Sequence, residues 1–526
     1  MTVIVPSSSL APPDALYADE LTASPLSNAD LAPTTLEQRT WSVWSITALW
    51  VSMCACIPTY MLASGLIDNG MNWWQAIATI FLANVIVLVP MVLNAHAGTR
   101  YGIPFPVYCR AAVGTAGANV PAMVRALVGC GWFGIQSWIG GQALFAIACI
   151  FRPKLADPTW PTFLGVTGPQ FAAYGAFWLL NLIVIVAGIN SIRWLLNIKA
   201  PLLIALGFAL LGWAYYRANG FGDMLRQPSK FGPDWTASRA FWQTFALGLT
   251  GMVGFWATLS LNIPDFSRYA KSQRDQIVGQ AIGLPPTMAL FAFIGVAVTS
   301  ATPTIFGKTI WNPVELIQTF KNPWALGLSM GAVAVATLAT NIAANVVSPA
   351  NDFAHLAPRF IGFRLGGLIT GIVGTLMMPW YLLANAHVYI DTWLVGISAL
   401  LGAVGGVLVS DYWLVRRAKL SITDLYRRGG RYGYDRGINW SALLAVAVAV
   451  AACVPGFCDQ ATGGRVLAAD TNAVAFVLKQ LYAYGVFVTF AIAFVAYALF
   501  MAGHPNARMA TEPVATAVEL PTNGHE

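Results

Sequence analysis

Long uncharged apolar segments recur along most of the chain and constrain its fold more than any other feature. Segments such as TALWVSMCACIPTYMLASGLI approach or exceed the ~20 residues with which a helix crosses a hydrocarbon core of ~30 Å. They lack the strand-length alternation of a transmembrane barrel. Only 10% of the 526 residues are charged, against about 25% in soluble domains. The sequence therefore predicts an all-α polytopic membrane protein embedded in a lipid bilayer.

We predict twelve transmembrane helices, an even number that places both termini on one side of the membrane. Lys and Arg are more frequent in the loops on that side, above all in RRAKLSITDLYRRGGRYGYDR (416–436), which predicts cytoplasmic termini in the inner or plasma membrane. This clustering accounts for the net charge of +7 without a nucleic-acid partner. The predicted spans are roughly 43–67, 73–95, 121–151, 169–189, 195–216, 240–262, 281–301, 324–347, 364–384, 389–410, 438–455 and 475–502.

The spans divide into two successive five-helix units and two accessory helices. The segment before the first span is rich in Ser, Pro and Ala and has no signal-peptide pattern, so we expect a disordered tail. The predicted organisation is a cytoplasmic tail (1–40), a first repeat (41–220), a second repeat (221–414), a basic cytoplasmic loop (415–437), accessory helices eleven and twelve (438–502) and a second cytoplasmic tail (503–526).

The first span of each unit carries a signal of helix interruption. Pro58 lies mid-way along span one and removes a backbone hydrogen bond, and Gly248, Gly251 and Gly254 recur at three-residue spacing in span six. Either pattern alone is also typical of a kink or a packing face. Interrupted helices at matching positions of inverted repeats indicate the central site of a transporter.

Aromatic and amide side chains share helix faces near these interruptions. Trp132 and Gln136 lie four residues apart in span three, Asn341 and Asn345 have the same spacing in span eight, and Trp256 follows the glycines of span six. Such groups can enclose a flat ring and pair its N–H and C=O groups. Buried amides also serve as ordinary interhelical hydrogen bonds, and we interpret Trp138 and Gln142 as packing residues.

The charges of the chain lie outside the deep parts of spans one, three, six and eight, which favours an uncharged cargo. A disulfide between Cys453 and Cys458 is an open alternative to two thiols. The sequence shows no nucleophile–base arrangement and no metal-ligand spacing, so it predicts a protein without cofactors that is not an enzyme. A membrane-embedded enzyme is the alternative from another functional class.

Six motifs together resemble the nucleobase:cation symporter family 1, the purine, pyrimidine, allantoin and hydantoin permeases. The similarity runs from about residue 30 to 437, and its motifs are QRTW (38–41), IPTYMLASGLI (57–67), NAHAGTRYGIPFPV (94–107), CGWFGIQSWIGG (130–141), NIPDFSRYAK (262–271) and TNIAANVVSPANDF (340–353). The resemblance implies a LeuT-type fold of two inverted five-helix repeats, with broken helices one and six and alternating access to a midplane site.

The resemblance also implies roles for individual residues. Trp132 and Trp256 are similar to the two indoles that stack on the substrate. Gln136 and Asn345 are similar to the amides that form hydrogen bonds with the edge of its ring. Asn341 is similar to a supporting residue of the site. Cys56 departs from the family, because hydantoin permease has glutamine at the corresponding position. We therefore expect fewer polar contacts from span one.

The cation site of sodium-coupled members maps to the first and eighth spans. The resemblance assigns its carbonyl ligands to Ser52, Ala55 and Ala336, and its hydroxyl positions to Ala339 and Thr340. Ala339 lacks one of the side-chain oxygens that a hard cation prefers. The coupling ion is therefore H+ or Na+.

These features predict a secondary transporter that imports a small neutral amide-bearing heterocycle, such as uracil, allantoin or a hydantoin, together with a cation. Plant-type members have glutamate where this chain has Gln136, and a neutral amide favours a neutral ring. The alternative within the same fold is a symporter for an amino acid or a quaternary amine, the latter held by an aromatic box.

Overall fold

Helices make up nearly all regular structure in residues 24–27, 31–187, 189–357, 360–467 and 473–508, which the computed structural model describes. One short hairpin pairs β1 (Thr162–Phe163) with antiparallel β2 (Val166–Thr167) in the loop after span three. Most of the predicted tails 1–40 and 503–526 lies outside the described residues.

The first half of the chain supplies the helices of the predicted first repeat and their connections. In chain order they are α1 (Val43–Cys54), α2 (Ile57–Asp68), α3 (Trp73–Tyr101), α4 (Phe105–Val113), α5 (Asn119–Phe151), a 3-10 turn (Pro153–Ala156), α6 (Gly168–Ala187), α7 (Ile189–Arg217), α8 (Phe221–Leu225) and a second 3-10 turn (Trp235–Ala237).

The second half supplies the remaining helices. They are α9 (Arg239–Phe255), α10 (Ala257–Asn262), α11 (Pro264–Ser267), α12 (Gln273–Phe306), α13 (Pro313–Gln318), α14 (Pro323–Asn345), α15 (Val347–Leu356), α16 (Phe363–Leu376), α17 (Pro379–Leu382), α18 (Val395–Val409) with π-helical turns at Val388–Leu394 and Ser410–Val415, α19 (Ile422–Leu425), α20 (Trp440–Ala451), α21 (Val454–Ala461), α22 (Ala473–Ala483), α23 (Gly485–Met501) and α24 (Pro505–Arg508).

Helical segments occupy all twelve predicted spans, but length and hydropathy identify fewer complete crossings. Within the described residues, six helices are long and apolar enough to span a bilayer, or nine if each bent pair counts as one span. The bent pairs are α1 with α2 (58°), α20 with α21 (45°) and α22 with α23 (88°). The polytopic all-α class is confirmed, and the count of twelve crossings stays a prediction.

The two predicted interruptions are present. Helix α1 ends at Cys54 and α2 begins at Ile57, with Cys56 in an extended conformation between them (φ −151°, ψ 158°). Pro58 lies in the first turn of α2, where its missing N–H breaks no helical hydrogen bond. Helix α9 ends at Phe255 and α10 begins after Trp256.

Close helix contacts hold the interrupted spans in the bundle. Helix α12 packs along α1, α2 and α3, while α5 packs against α6, α14 and α16. Gly254 allows α9 to approach the span that contains α18, because a Cβ there would lie 2.5 Å from the carbonyl oxygen of Leu394. The glycines of span six therefore serve helix approach, and the interruption follows them at Trp256.

Part of the segment predicted as a disordered tail is folded. Thr34 and Arg39 are buried, and the Arg39 Nη1 donates to the carbonyl oxygen of Thr99 at 3.1 Å. The prediction of disorder was wrong for residues 31–40 because it weighed composition and could not include these contacts with α3. Within the described chain, Cys453 and Cys458 form no disulfide.

Candidate functional site

A cavity of about 50 Å³ lies where the two interrupted spans meet α5 and α14. Its walls are mostly aromatic and aliphatic, with a few convergent polar groups, which is the composition expected of a small-molecule site. The lining residues come from both interruptions and both continuous helices: Met53, Cys56, Pro58, Arg125, Trp132, Gln136, Phe255, Trp256, Thr258, Leu259, Thr340, Ala344 and Asn345.

The two predicted stacking indoles lie in this wall, connected by a ring that the sequence reasoning missed. Phe255 lies edge-on to Trp132, with ring centroids 5.2 Å apart, and edge-on to Trp256 at 4.9 Å. Trp50 packs edge-on to the far side of Trp256 at 5.3 Å. The sequence feature that could have predicted this role is the position of Phe255 directly before the interruption. Trp138, interpreted as packing, contacts Tyr174 and Trp380 instead.

Three polar atoms in this wall are buried without a hydrogen-bond partner among the described residues. One is the Nε of Arg125, and the uncharged pair is the Oε1 of Gln136 and the indole Nε1 of Trp256. Burying an unpaired polar atom costs about 1–3 kcal/mol, so native proteins keep few of them. Because both residues line the cavity, these atoms are positioned to be satisfied by a molecule that enters it.

The two asparagines of α14 have different surroundings. Asn345 lines the cavity, and its Nδ2 donates to the Oδ1 of Asn341 at 3.1 Å. Asn341 is fully buried behind it, and its Nδ2 lies 3.1 Å from both Ser137 Oγ and Asn181 Oδ1. Asn341 is absent from the described lining of the cavity, and its Oδ1 holds the amide of Asn345. Its supporting role in substrate binding stays a prediction.

Cys56 lines the cavity at the interruption of the first span. Its Sγ lies 3.2 Å from the Oγ1 of Thr59, one turn into α2. A thiol forms only weak hydrogen bonds, so this position supplies less polar recognition than an amide.

The residues mapped to the cation site lie at the end of α1 and on α14. Ala55, Ala336 and Ala339 are buried, whereas Ser52 is partly exposed. Thr340 lines the cavity, and its hydroxyl donates to the carbonyl oxygen of Ala336 at 2.8 Å. This donation leaves the lone pairs of the Thr340 hydroxyl oxygen free to face a cation.

A buried ion pair borders the cavity, contrary to the expectation that span three carries no deep charge. Arg125, in the second turn of α5, lines the cavity, and its Nη1 lies 2.5 Å from the Oδ2 of Asp352 on α15. Their side chains are 3% and 1% exposed. The expectation was wrong because Arg125 lies close to the predicted span boundary, where arginine normally reaches solvent. The sequence feature that could have indicated its partner is Asp352 in the NDF that ends the motif TNIAANVVSPANDF.

Asn262 extends this pair to the second interrupted span. In the amide orientation that satisfies both of its polar atoms, its Oδ1 accepts from Arg125 Nη2 at 3.1 Å and its Nδ2 donates to the carbonyl oxygen of Thr258 at 2.6 Å. Helices α5, α10 and α15 are thereby joined by charge-assisted hydrogen bonds at one end of the cavity.

Comparison with known proteins identifies the family. The profile described as "Permease for cytosine/purines, uracil, thiamine, allantoin" matches residues 33–489. The chain belongs to this permease family, the nucleobase:cation symporter family 1. It is a transporter and not an enzyme. The predictions of family, fold class and secondary transport are thereby confirmed.

Two permeases illustrate the similarity in sequence. A purine-uracil permease of Arabidopsis thaliana is 46% identical over 434 residues, which cover 82% of this chain and 72% of the relative. An allantoin permease of Bacillus subtilis is 39% identical over 492 residues, which cover 93% of this chain and 96% of the relative.

Solved structures support the same architecture. The inward-facing conformation of Mhp1 has a TM-score of 0.73 and 26% identity, covering 94% of this chain and 99% of that one. Mhp1 in a closed conformation with bromovinylhydantoin bound has a TM-score of 0.70. A Na+-coupled sialic acid symporter, at 14% identity and a TM-score of 0.55, shares the fold alone.

Proposed function

We propose that this permease imports a small, uncharged heterocycle of the uracil, allantoin or hydantoin class, held between Trp132 and Trp256. The observation that carries this proposal is the pair of uncharged, unpartnered polar atoms, Gln136 Oε1 and Trp256 Nε1, in a largely apolar cavity. The cavity of about 50 Å³ has to widen to admit a ring; a flat ring there covers the indole faces and satisfies both atoms with its own N–H and C=O groups.

The polarity of the cavity amides favours this class of ring. Gln136 Oε1 accepts hydrogen bonds, and the Oδ1 of Asn345 is the acceptor left when its Nδ2 donates to Asn341. Trp256 Nε1 supplies a donor. An imide or ureide presents N–H and C=O groups in alternation, so its edge can satisfy two acceptors and one donor.

The alternative of a quaternary amine is disfavoured because the described lining of the cavity contains no carboxylate to balance a permanent cation. A free amino acid requires a partner for its carboxylate, and the guanidinium of Arg125 already pairs with Asp352. The relatives named above are permeases for purine and uracil or for allantoin.

We propose cation coupling at the residues mapped to the sodium site, with H+ favoured over Na+. Ala339 supplies no side-chain oxygen, which leaves the Thr340 hydroxyl as the one side-chain oxygen among the mapped positions 339 and 340. Sodium prefers several hard oxygen ligands, so this loss weakens a sodium site. A cation bound preferentially to one conformation shifts the population toward it, which couples its gradient to substrate movement.

The proposed arrangement in the cell is import across the inner or plasma membrane with both termini in the cytoplasm. The two repeats, 41–220 and 221–414, contribute one interrupted helix each to the cavity. The basic segment 416–436 supports this orientation through the positive-inside rule.

Radiolabelled uptake into cells that express the permease tests substrate and ion together. The panel is uracil, allantoin, benzylhydantoin and betaine, each with and without Na+ across a pH series and with a protonophore. We expect uptake of at least one neutral ring, loss of accumulation with the protonophore and little response to Na+. Uptake of betaine alone would contradict the proposed substrate class, and strict dependence on Na+ would contradict proton coupling.

A further inference from the structure

A second and much larger cleft, of about 1090 Å³, lies at the face of the bundle that carries the basic segment 416–436. Its walls come from α4, the start of α5, the end of α15 and residues 424–437. It shares none of its lining residues with the central cavity. The two spaces are therefore separate sites in the described part of the chain.

The charge of this cleft is predominantly positive. Among the described residues that line it are Arg110, Arg428, Arg431 and Arg436, against the single carboxylate of Asp424. Arg431 is paired with that carboxylate, with 3.3 Å between its Nε and the Oδ2. The remaining guanidinium groups give the cleft a net positive charge, which attracts anions.

The buried end of the cleft is built around Arg110, which is only 1% exposed. Its Nη2 donates to His355 Nε2 at 3.0 Å and to the carbonyl oxygen of Leu26 at 2.8 Å, and its Nη1 donates to the carbonyl oxygen of Leu425 at 3.1 Å. The guanidinium also lies over the ring of Tyr426. A permanent positive charge is thereby fixed in position.

His355 adds a neutral hydrogen-bond donor to this end. Burial and the neighbouring Arg110 lower the pKa of His355 to about 3, so the imidazole is neutral at physiological pH. Because Nε2 accepts from Arg110, the proton is on Nδ1. That Nδ1 and the Nε of Arg110 are buried without a partner in the described ranges. Both residues line the cleft, so an oxygen-rich anion can satisfy these N–H groups.

We propose that this cleft binds a phosphate group, either that of a soluble phosphate ester or that of an anionic phospholipid. Guanidinium groups match phosphate oxygens with paired, charge-assisted hydrogen bonds, and an Arg-rich cleft with few carboxylates favours a multiply charged oxyanion. The exposed Trp440 begins α20 four residues after Arg436, which places the cleft within reach of an interfacial headgroup.

Phosphate titration of the purified full-length protein in a neutral detergent tests the site. Thermal unfolding is followed with sodium phosphate and, at matched ionic strength, with sodium chloride. We expect phosphate to raise Tm more than chloride does, because a ligand that binds only the folded state stabilises it. The double variant Arg428→Ala/Arg436→Ala should shift half-saturation to at least about tenfold higher phosphate.

The matched control is Arg274→Ala/Lys419→Ala, which removes two exposed charges that do not line the cleft. It should titrate as the parent does. In a second arm, the protein is placed in nanodiscs that contain both phosphatidylglycerol and phosphatidylcholine. Native mass spectrometry then counts the phosphatidylglycerol molecules that stay bound to the protein. Retention by the parent and the control but not by the cleft variant identifies the lipid headgroup as the occupant. Selective phosphate stabilisation without such retention identifies a soluble phosphate ester.

The proposal is overturned if phosphate and chloride stabilise the parent equally and the nanodisc arm shows no difference between parent and cleft variant. Equal responses of the cleft variant and the control in both arms would also overturn it. Both substituted arginines are exposed, so the variants should fold, and the Tm without phosphate reports whether they do. Neither outcome depends on the identity of the transported ring.

Discussion

The side of α5 that faces the central cavity contains two regions of opposite character. Near the helix start, Arg125 is charged and bonded to Asp352 and Asn262. Seven and eleven residues later, on the same helix face, Trp132 and Gln136 are uncharged, and Gln136 Oε1 has no partner in the described chain. The difference separates two uses of buried polarity: the Nη atoms of Arg125 join helices, whereas we propose that Gln136 Oε1 at the cavity binds a ligand.

The largest effect is expected on stability, when one partner of the buried Arg125–Asp352 ion pair is removed. Asp352→Ala leaves Arg125 as an uncompensated buried charge, which should destabilise the fold by about 3–5 kcal/mol. Thermal unfolding in detergent measures the loss. The double variant Arg125→Met/Asp352→Leu should recover most of it, because an apolar pair removes the unpaired charge. An Asp352→Ala protein that unfolds at the parental Tm would contradict a structural role for the pair.

The second largest effect is expected on transport, when the amide of Gln136 is removed. Gln136→Ala should lower kcat/KM for uptake of the accepted ring roughly fivefold to 150-fold, which corresponds to about 1–3 kcal/mol for an unpaired polar group, with little change in Tm. Gln142→Ala is the control, since it removes an amide from the same helix outside the cavity lining. If both variants transported like the parent, Gln136 would have no part in recognition.

A smaller effect is expected at Phe255, the ring between the two indoles. Phe255→Leu removes edge-on contacts to Trp132 and Trp256, each worth about 0.5–1.5 kcal/mol in aromatic pairs. KM for uptake should rise several-fold while expression is maintained. Phe490→Leu, which removes a ring from α23 instead, should leave KM at the parental value. A parental KM for Phe255→Leu would mean that the indoles keep their positions without this ring.

The smallest effect concerns the coupling ion. Ala339→Ser restores a side-chain oxygen at the mapped cation site and should give a modest stimulation of uptake by Na+ that the parent lacks. Ala343→Ser adds the same hydroxyl elsewhere on α14 and should not. Initial rates with Na+ and with choline at fixed pH measure the difference. Equal sodium responses of the two variants would argue against a cation site at Ala339.

The sequence predicted the interruptions and the aromatic wall well because both are local properties. Proline removes an N–H wherever the chain goes, and residues four apart share a helix face. It left open which of Asn341 and Asn345 lines the cavity, because spacing that puts two amides on one helix face does not distinguish them. The partners that decide this, Ser137 and Asn181, are on other helices.

The basic cleft, too, depends on residues that are distant in the sequence and could not be predicted from local patterns. Composition assigned the arginines of 416–436 to membrane orientation, and the structure brings three of them together with Arg110 and His355 from distant segments. The predicted disorder failed likewise for residues 31–40, since the burial of Arg39 depends on carbonyl groups of α3.

By itself the sequence determined the membrane class, the helical segments, the two interruptions and the candidate ring-binding side chains, because hydropathy, proline chemistry and helical periodicity act over a few residues. Only the tertiary structure decided which polar groups are satisfied. Arg125 and Asp352 are 227 residues apart in the chain and 2.5 Å apart in space. Whether a buried amide or charge holds the protein together or recognises a ligand depends on such distant partners.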